Sequence, residues 1–303
     1  KTGHYTPGYA GAVVAASATI GPIIPPSIPL VLYALVSDTS IGYLFLGGVI
    51  PGLLMTALLM AMNTIIAHRR NIPAEESVPL RELPGVTLRA LPALMMPVIL
   101  LAGIYGGATT PTEAAAVAAF YALLVAGLLY RSLTPRTLYD VFVDSARSSA
   151  SVGLVIGSAL IFNYIVAIEN IPQTLSQFMV GLELTRAGFL AFTMVLFLLL
   201  GCVLDATTII LVIIPLFLPT ARALGVDLIH FGVISVVNCM IGMITPPYGM
   251  LLFVVNGTTG IPIKDIVREG MPFLFALLLA LIVIAVFPDL VLALPRMFGY
   301  QGT

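Results

Sequence analysis

The chain has 303 residues, of which 59% are hydrophobic and only 9% charged, with a mean hydropathy of +1.10. So few polar groups cannot clothe a water-exposed surface, so the composition excludes a soluble globular protein and places the chain in lipid. The formal net charge of −1, without clustered Lys and Arg, argues against nucleic acid as a partner.

At about 20 residues per spanning helix, the length allows about eight or nine crossings and leaves no room for a separate soluble domain. The opening segment, Lys1 to Ala10, begins without Met and reads as neither signal peptide nor span, so further residues are expected upstream. Apolar stretches then run over Tyr9–Leu35, Ile41–Ala67, Arg89–Tyr105, Thr112–Tyr130, Ser148–Ile168, Ala187–Arg222, Phe231–Val255 and Met271–Leu294. Three groupings follow: residues 1–68, 69–186 and 187–303, within one transmembrane domain. The connection His68–Arg89 holds four arginines and Gly106–Pro111 none, so the positive-inside rule puts the first in the cytoplasm. Arg131, Arg136 and Arg147 are then inside, with Lys1 and His4, and the Lys- and Arg-free connection Glu169–Thr185 is outside. Leu133–Val143 reads as an amphipathic helix on the inner surface. Thr110-Pro111-Thr112-Glu113 reads as a capping box opening a helix.

Ala187–Arg222 is too long for one span, and its middle, Gly201 to Thr208, holds one acid and no basic exit. We read it as a re-entrant hairpin with its turn near Asp205, the alternative being two short full spans. Lys264 and Arg268 fall inside only if this segment enters and leaves on the same outer side.

The chain also repeats itself. Ile20-Gly21-Pro22-Ile23-Ile24-Pro25-Pro26 and Ile241-Gly242-Met243-Ile244-Thr245-Pro246-Pro247 share the pattern I-G-x-I-x-P-P, and Gly3 with Tyr9 mirrors Gly225 with Phe231. The charge argument runs the two copies in opposite directions. Paired prolines after a glycine unwind a helix, and the freed carbonyls suit a hard cation such as Na⁺. The candidate ion-binding residues are Gly21, Ile24 and Ser27 in the first break, Gly242, Thr245 and Tyr248 in the second, and Gly201, Leu204 and Asp205 at the hairpin tip. Thr207 and Thr208 at the tip, with Ser17, Thr19 and Asn238, are the polar groups suited to a small hydrophilic anion. Each reading has a structural rival. Pro-Pro can simply kink a helix, Asp205 can cap a hairpin arm or carry a proton, and the hydroxyls and Asn238 can bond a neighbouring helix.

His4, His68 and His230 lie near span ends at spacings unsuited to a shared metal, and are expected at the interface; no transition-metal site is expected. Cys202 and Cys239 read as buried structural thiols. No Ser-His or Cys-His pair and no second intramembrane acid beside Asp205 is present, which argues against an enzyme. Polar residues concentrated at two breaks favour occluded binding over a continuous channel.

Three stretches carry a family resemblance: Ala15-Ala-Ser-Ala-Thr-Ile-Gly-Pro-Ile-Ile-Pro-Pro-Ser27, Gly106-Gly-Ala-Thr-Thr-Pro-Thr-Glu-Ala114, and Phe231-Gly-Val with Gly242-Met-Ile-Thr-Pro-Pro-Tyr-Gly249. Over essentially its whole length the sequence resembles the large membrane subunit of tripartite ATP-independent periplasmic (TRAP) transporters. That resemblance implies an all-α polytopic protein of the bacterial inner membrane, with inverted repeats, interrupted helices and two re-entrant hairpins, working as an elevator. It implies Na⁺-coupled import of a small organic acid of the C4-dicarboxylate or sialic acid class, a small membrane subunit and a periplasmic substrate-binding protein. In the family the first hairpin precedes the segment matching Lys1 to Gly8, so the first Na⁺ site is expected to be incomplete in this chain and the second whole. The nearest alternative is a stand-alone dicarboxylate symporter of related fold.

Overall fold

The computed structural model describes residues 5–72, 79, 81–181 and 183–302. Gly3, Lys1 and His4, used above for the repeat and the orientation, lie outside them. Among the described residues the chain is all-α, and six helices are long and apolar enough to cross a membrane.

Paired prolines after a glycine interrupt a crossing at two places. The first long apolar stretch folds as α1 (Pro7–Ala18) and α2 (Ile28–Ser37), separated by the first I-G-x-I-x-P-P segment. At about 1.5 Å per residue neither reaches across a hydrocarbon core of about 30 Å, so together they make one interrupted crossing. Each half is capped: the Thr6 hydroxyl accepts from the amide of Tyr9, and the Ser27 hydroxyl from that of Leu30. α11 (Leu228–Gly242) and α12 (Met250–Thr259) repeat this arrangement around the second segment. Both Pro-Pro bonds, Pro25–Pro26 and Pro246–Pro247, are cis. By contrast Pro51 sits inside the 29-residue α3 (Ile41–Arg69) without ending it.

The chain divides into two compact units. One, between residues 74 and 158, holds α4 (Leu83–Tyr105), α5 (Pro111–Leu124, continued by a π-turn at Val125–Leu129) and the first part of α6 (Pro135–Ile168). The capping box that opens α5 is present, with Glu113 N–H donating to Thr110 Oγ1 and Thr110 N–H to Glu113 Oε2 at 2.7 Å. Tyr121 of α5 donates to the Pro92 carbonyl of α4 at 2.9 Å.

The other unit carries α1–α3 and, from Ala159 onward, the end of α6 and everything after it. Here α7 (Ile171–Gly181) packs on α10 (Ile214–Ala223), and α8 (Arg186–Gly201) runs along α11. α1 packs on α13 (Ile263–Val286), α14 (Asp289–Met297) packs on α3, and α3 lies against α13. Within this unit α1 lies beside α12 while α2 lies beside α11. First half beside second half is the signature of two interrupted helices running antiparallel. α11 is the centre of the unit, and every residue from Leu228 to Gly242 is buried.

Several expectations need correction. The amphipathic segment Leu133–Val143 is not a separate surface helix: from Pro135 it is continuous with the following span in the 34-residue α6, about 50 Å long. The connection Glu169–Thr185 contains α7, whose apolar positions Leu175, Phe178 and Met179 follow helical spacing. The last stretch, read as Met271–Leu294, is two helices, because Phe287 and Pro288 end α13 and α14 starts anew. His230, expected near a span end, is fully buried in the first turn of α11. Its Nε2 donates to the carbonyl of Ile284 at 2.9 Å, an acceptor without a helical donor because the residue four further on is Pro288.

Candidate ion and substrate site at the second helix break

The stretch Ala187–Arg222 forms a helical hairpin. α8 is its first arm; the second begins with α9 (Ala206–Thr208), passes through a π-turn at Ile209–Ile213 and continues as α10. Phe192 and Phe197 of the first arm pack against Phe217 of the second, with ring centroids 6.4 and 5.7 Å apart. The first arm is seated on α11 through Phe189 and Phe197 against Phe231. Side-chain burial of this kind fixes the arms; the tip is held differently.

At the tip, backbones meet. A Cβ built on Gly242 would lie 2.7 Å from the Cα of Gly201, and one on Gly201 would lie 3.1 Å from the Cα of Gly242. Both positions therefore need the absence of a side chain, and the pairing brings the turn of the hairpin onto the start of the second break. Two hydrogen bonds secure it: the Gly249 amide donates to the Cys202 carbonyl at 3.0 Å, and Asn238 Nδ2 donates to the Met194 carbonyl at 2.6 Å. The hairpin thus reaches as deep as the interruption and no deeper.

Within this junction the expected residues divide by their bonding. Asp205 caps the second arm, its Oδ2 accepting from the amides of Thr207 at 2.9 Å and Thr208 at 3.3 Å, and its Oδ1 from the Thr208 hydroxyl. The Thr245 hydroxyl donates back to the Ile241 carbonyl at 2.7 Å, and the Gly242 carbonyl accepts from the Thr245 amide at 2.9 Å. Among the described residues the carbonyls of Leu204, Ile244 and Thr245 accept no hydrogen bond. Unpaired carbonyls at a helix interruption are the kind of oxygen that can ligate a hard cation. Tyr248 also lies in the break, 59% exposed, with its ring 4.9 Å from that of Phe253. Asn238 is wholly buried and its Oδ1 has no partner among the described residues.

The first break offers a similar inventory. The carbonyls of Gly21 and Ile24 accept no hydrogen bond among the described residues, and the Ser27 hydroxyl, besides capping α2, donates to the Pro22 carbonyl. Ser17 and Thr19 each donate to a carbonyl of their own helix, Val14 and Ala16 respectively. Thr19 is fully buried, whereas Gly21 and Ile24 are exposed.

Two contributors escaped the sequence reading. Gly48 and Gly52 of α3 cradle the first break: a Cβ on Gly48 would lie 2.5 Å from the Ile23 carbonyl oxygen, and one on Gly52 would run into the Ile24 side chain. Their spacing is the small-x-x-x-small pattern of closely approaching helices in lipid, a legible signal. The other is Tyr33 on α2, buried over Gly232 of α11 and donating its hydroxyl to the Leu228 carbonyl at 2.7 Å.

An all-α membrane protein with two antiparallel interrupted helices and a hairpin closed on one of them has the build of a secondary transporter. The chain belongs to the family described as tripartite ATP-independent periplasmic transporter, DctM component, whose model matches residues 1–290. It is therefore a TRAP-type large permease component and a multi-pass protein of the inner membrane. It is 39% identical, over 99% of its length and 70% of the relative's, to the sialic acid TRAP transporter large permease protein SiaM of Vibrio cholerae. It is 40% identical to the C4-dicarboxylate TRAP transporter large permease protein DctM of Pseudomonas aeruginosa, covering 97% of this chain and 69% of the relative. The isethionate TRAP transporter permease protein DctMQ of Oleidesulfovibrio alaskensis is also 40% identical, with 46% of that longer chain covered.

Proposed function

We propose that this chain carries the ion and substrate sites of a Na⁺-coupled importer for a small organic acid. The acid is handed over by a periplasmic substrate-binding protein, and a small membrane subunit completes the membrane part. The observation that carries the reading is the backbone contact of Gly201 with Gly242, which brings the hairpin tip to the second break beside carbonyls that nothing else uses. Na⁺ would be held there by oxygens of Gly201, Leu204, Asp205, Gly242, Thr245 and Tyr248, and the carboxylate by Thr207, Thr208, Asn238 and the bound cation. The relatives named for sialic acid, C4-dicarboxylate and isethionate support an acid as cargo.

The first break completes the symmetry. The α11 residues that meet α8 are Phe231, Asn238, Cys239 and Gly242. Carried across the repeat by the Gly21–Gly242 match, the last three correspond to Ser17, Ala18 and Gly21, all exposed. One face of α1 is thus laid out to seat a second hairpin, which would finish an ion site around Gly21, Ile24 and Ser27, with Ser17 and Thr19 nearby. In the elevator reading, the unit holding both breaks and the hairpin is the moving load, and the unit holding α4 and α5 is part of the frame.

Uptake of radiolabelled organic acids into proteoliposomes containing the full-length complex and its binding protein tests this. We expect uptake only with an inward Na⁺ gradient, and a raised Na⁺ requirement in Thr245→Ala. Uptake indifferent to Na⁺, or an unchanged Na⁺ requirement in that variant, would reject the site.

A further inference from the structure

α8 and α13 both pack on α11, and between them runs a groove of about 600 Å³. Its floor and walls are apolar: Leu190, Met194 and Val195 from α8, and Ile282 and Val286 from α13. One residue breaks this pattern. Arg186, the first residue of α8, stands at the groove's end and has neither a carboxylate nor a hydrogen-bond acceptor among the described residues.

Asp289, just past Pro288 of the groove wall, is held by Arg296 at 2.6 Å, and the Thr185 hydroxyl caps α8 by accepting from Gly188. Glu183, three residues before Arg186, is exposed and makes no ion pair with it, so the guanidinium at the groove's end, on the positive end of α8, is free to take an anionic head. The volume falls within the range of pockets that enclose a small molecule. In a membrane protein, an apolar trough with a single cation at its end matches a molecule with an aliphatic tail and a phosphate head.

We propose that the groove binds one phospholipid, its acyl chain between α8 and α13 and its phosphate on Arg186. The position gives it leverage. Met194, in the groove wall, supplies the carbonyl that Asn238 holds, and Ile284, two residues before Val286, supplies the carbonyl that His230 holds. A tail lying there braces the first hairpin arm against α11 from behind, so the lipid would act on the hairpin without touching cargo. The inference needs the membrane location but not Na⁺ coupling or an organic acid.

The test is retention of lipid by the purified full-length complex, delipidated and then exposed to phosphatidylglycerol, followed by native mass spectrometry. Parallel samples receive diacylglycerol with the same tails or inorganic phosphate. We expect one retained phosphatidylglycerol and no retention of either control. Retention should fall about fivefold in Arg186→Gln, and be lost in Ala191→Trp, which fills the trough while monodispersity and melting temperature report an intact fold. Equal retention in both folded variants overturns the proposal. So does diacylglycerol retained as well as phosphatidylglycerol, which would make the groove ordinary lipid-facing surface. A polypeptide segment cross-linked to position 195 in the intact complex would likewise overturn it.

Discussion

Gly242 has no room for even one carbon. Alanine there would set its Cβ 2.7 Å from the Cα of Gly201, and backbone cannot swing aside as a side chain can. Overpacking of this kind costs about 1–3 kcal/mol. Gly242→Ala is therefore expected to lift the tip and lower uptake at least tenfold, measured as initial rate in proteoliposomes; an unaffected rate would show that tip and break need not touch. At Asp205 the question is which of two roles dominates. Asparagine is as good an N-cap as aspartate, whereas alanine forfeits about 1 kcal/mol. Asp205→Asn should thus leave the melting temperature nearly unchanged and raise the Na⁺ concentration for half-maximal uptake. If the Na⁺ dependence stays put, Asp205 belongs to the architecture of the hairpin alone. His230 makes the opposite case, a polar residue with a packing role. Truncation to alanine would strand the Ile284 carbonyl and open a cavity, so His230→Ala should cost about 3 kcal/mol in a denaturation experiment. Loss below 1 kcal/mol would mean that water or rearrangement replaces the imidazole.

Elements show how far the sequence could be read. The interrupted helices were legible because glycine and paired prolines act on the chain locally, wherever they stand. The direction of the two copies came from arginine counts and agrees with the crossed packing of α1 on α12 and α2 on α11. What escaped was set by neighbours. Pro215 leaves the Leu211 carbonyl without its helical donor, and Asn163 Nδ2 meets it at 2.8 Å from another helix, a partner no local pattern announces. α7 was passed over because its stretch was judged on its lack of basic residues rather than on its periodicity. The burial of His230 escaped because its position near a span end suggests the interface, while its partner lies 54 residues away. At the end of α3, Arg70 pairs with Glu269 of α13 at 2.6 Å and lies 5.2 Å from the centroid of the Tyr9 ring. The Arg70 and Glu269 side chains are 44% and 21% exposed, and such pairs contribute little. Glu269→Gln should change stability by less than about 1 kcal/mol, and a larger loss would make this cluster a structural clasp rather than a surface pair.

At the scale of the molecule, the two units differ in what they bury. α4 has no buried residue, whereas α11 has no exposed one. A helix without a buried position, apolar along its length, is wetted by lipid or by another protein, and its sequence answers only to hydrophobicity. α11 answers to shape at every position. Random substitution should therefore be tolerated far better between residues 83 and 105 than between 228 and 242, which a saturation screen for growth on the transported acid would measure; equal tolerance would contradict the division.

The contact between Gly201 and Gly242 has one more consequence. Because neither residue has a side chain, nothing interlocks at the point of contact itself, where the Gly249–Cys202 bond ties the tip to the far side of the break. Such a bond is worth about 0.5–1.5 kcal/mol net, little beside the packing of the buried Ile209, Ile210 and Leu211 in the second arm. The hairpin is thus a door whose leaves are stiff with phenylalanine and whose latch is light, so the ion proposed above would need to contribute only a small free energy at the tip to bias it open or shut.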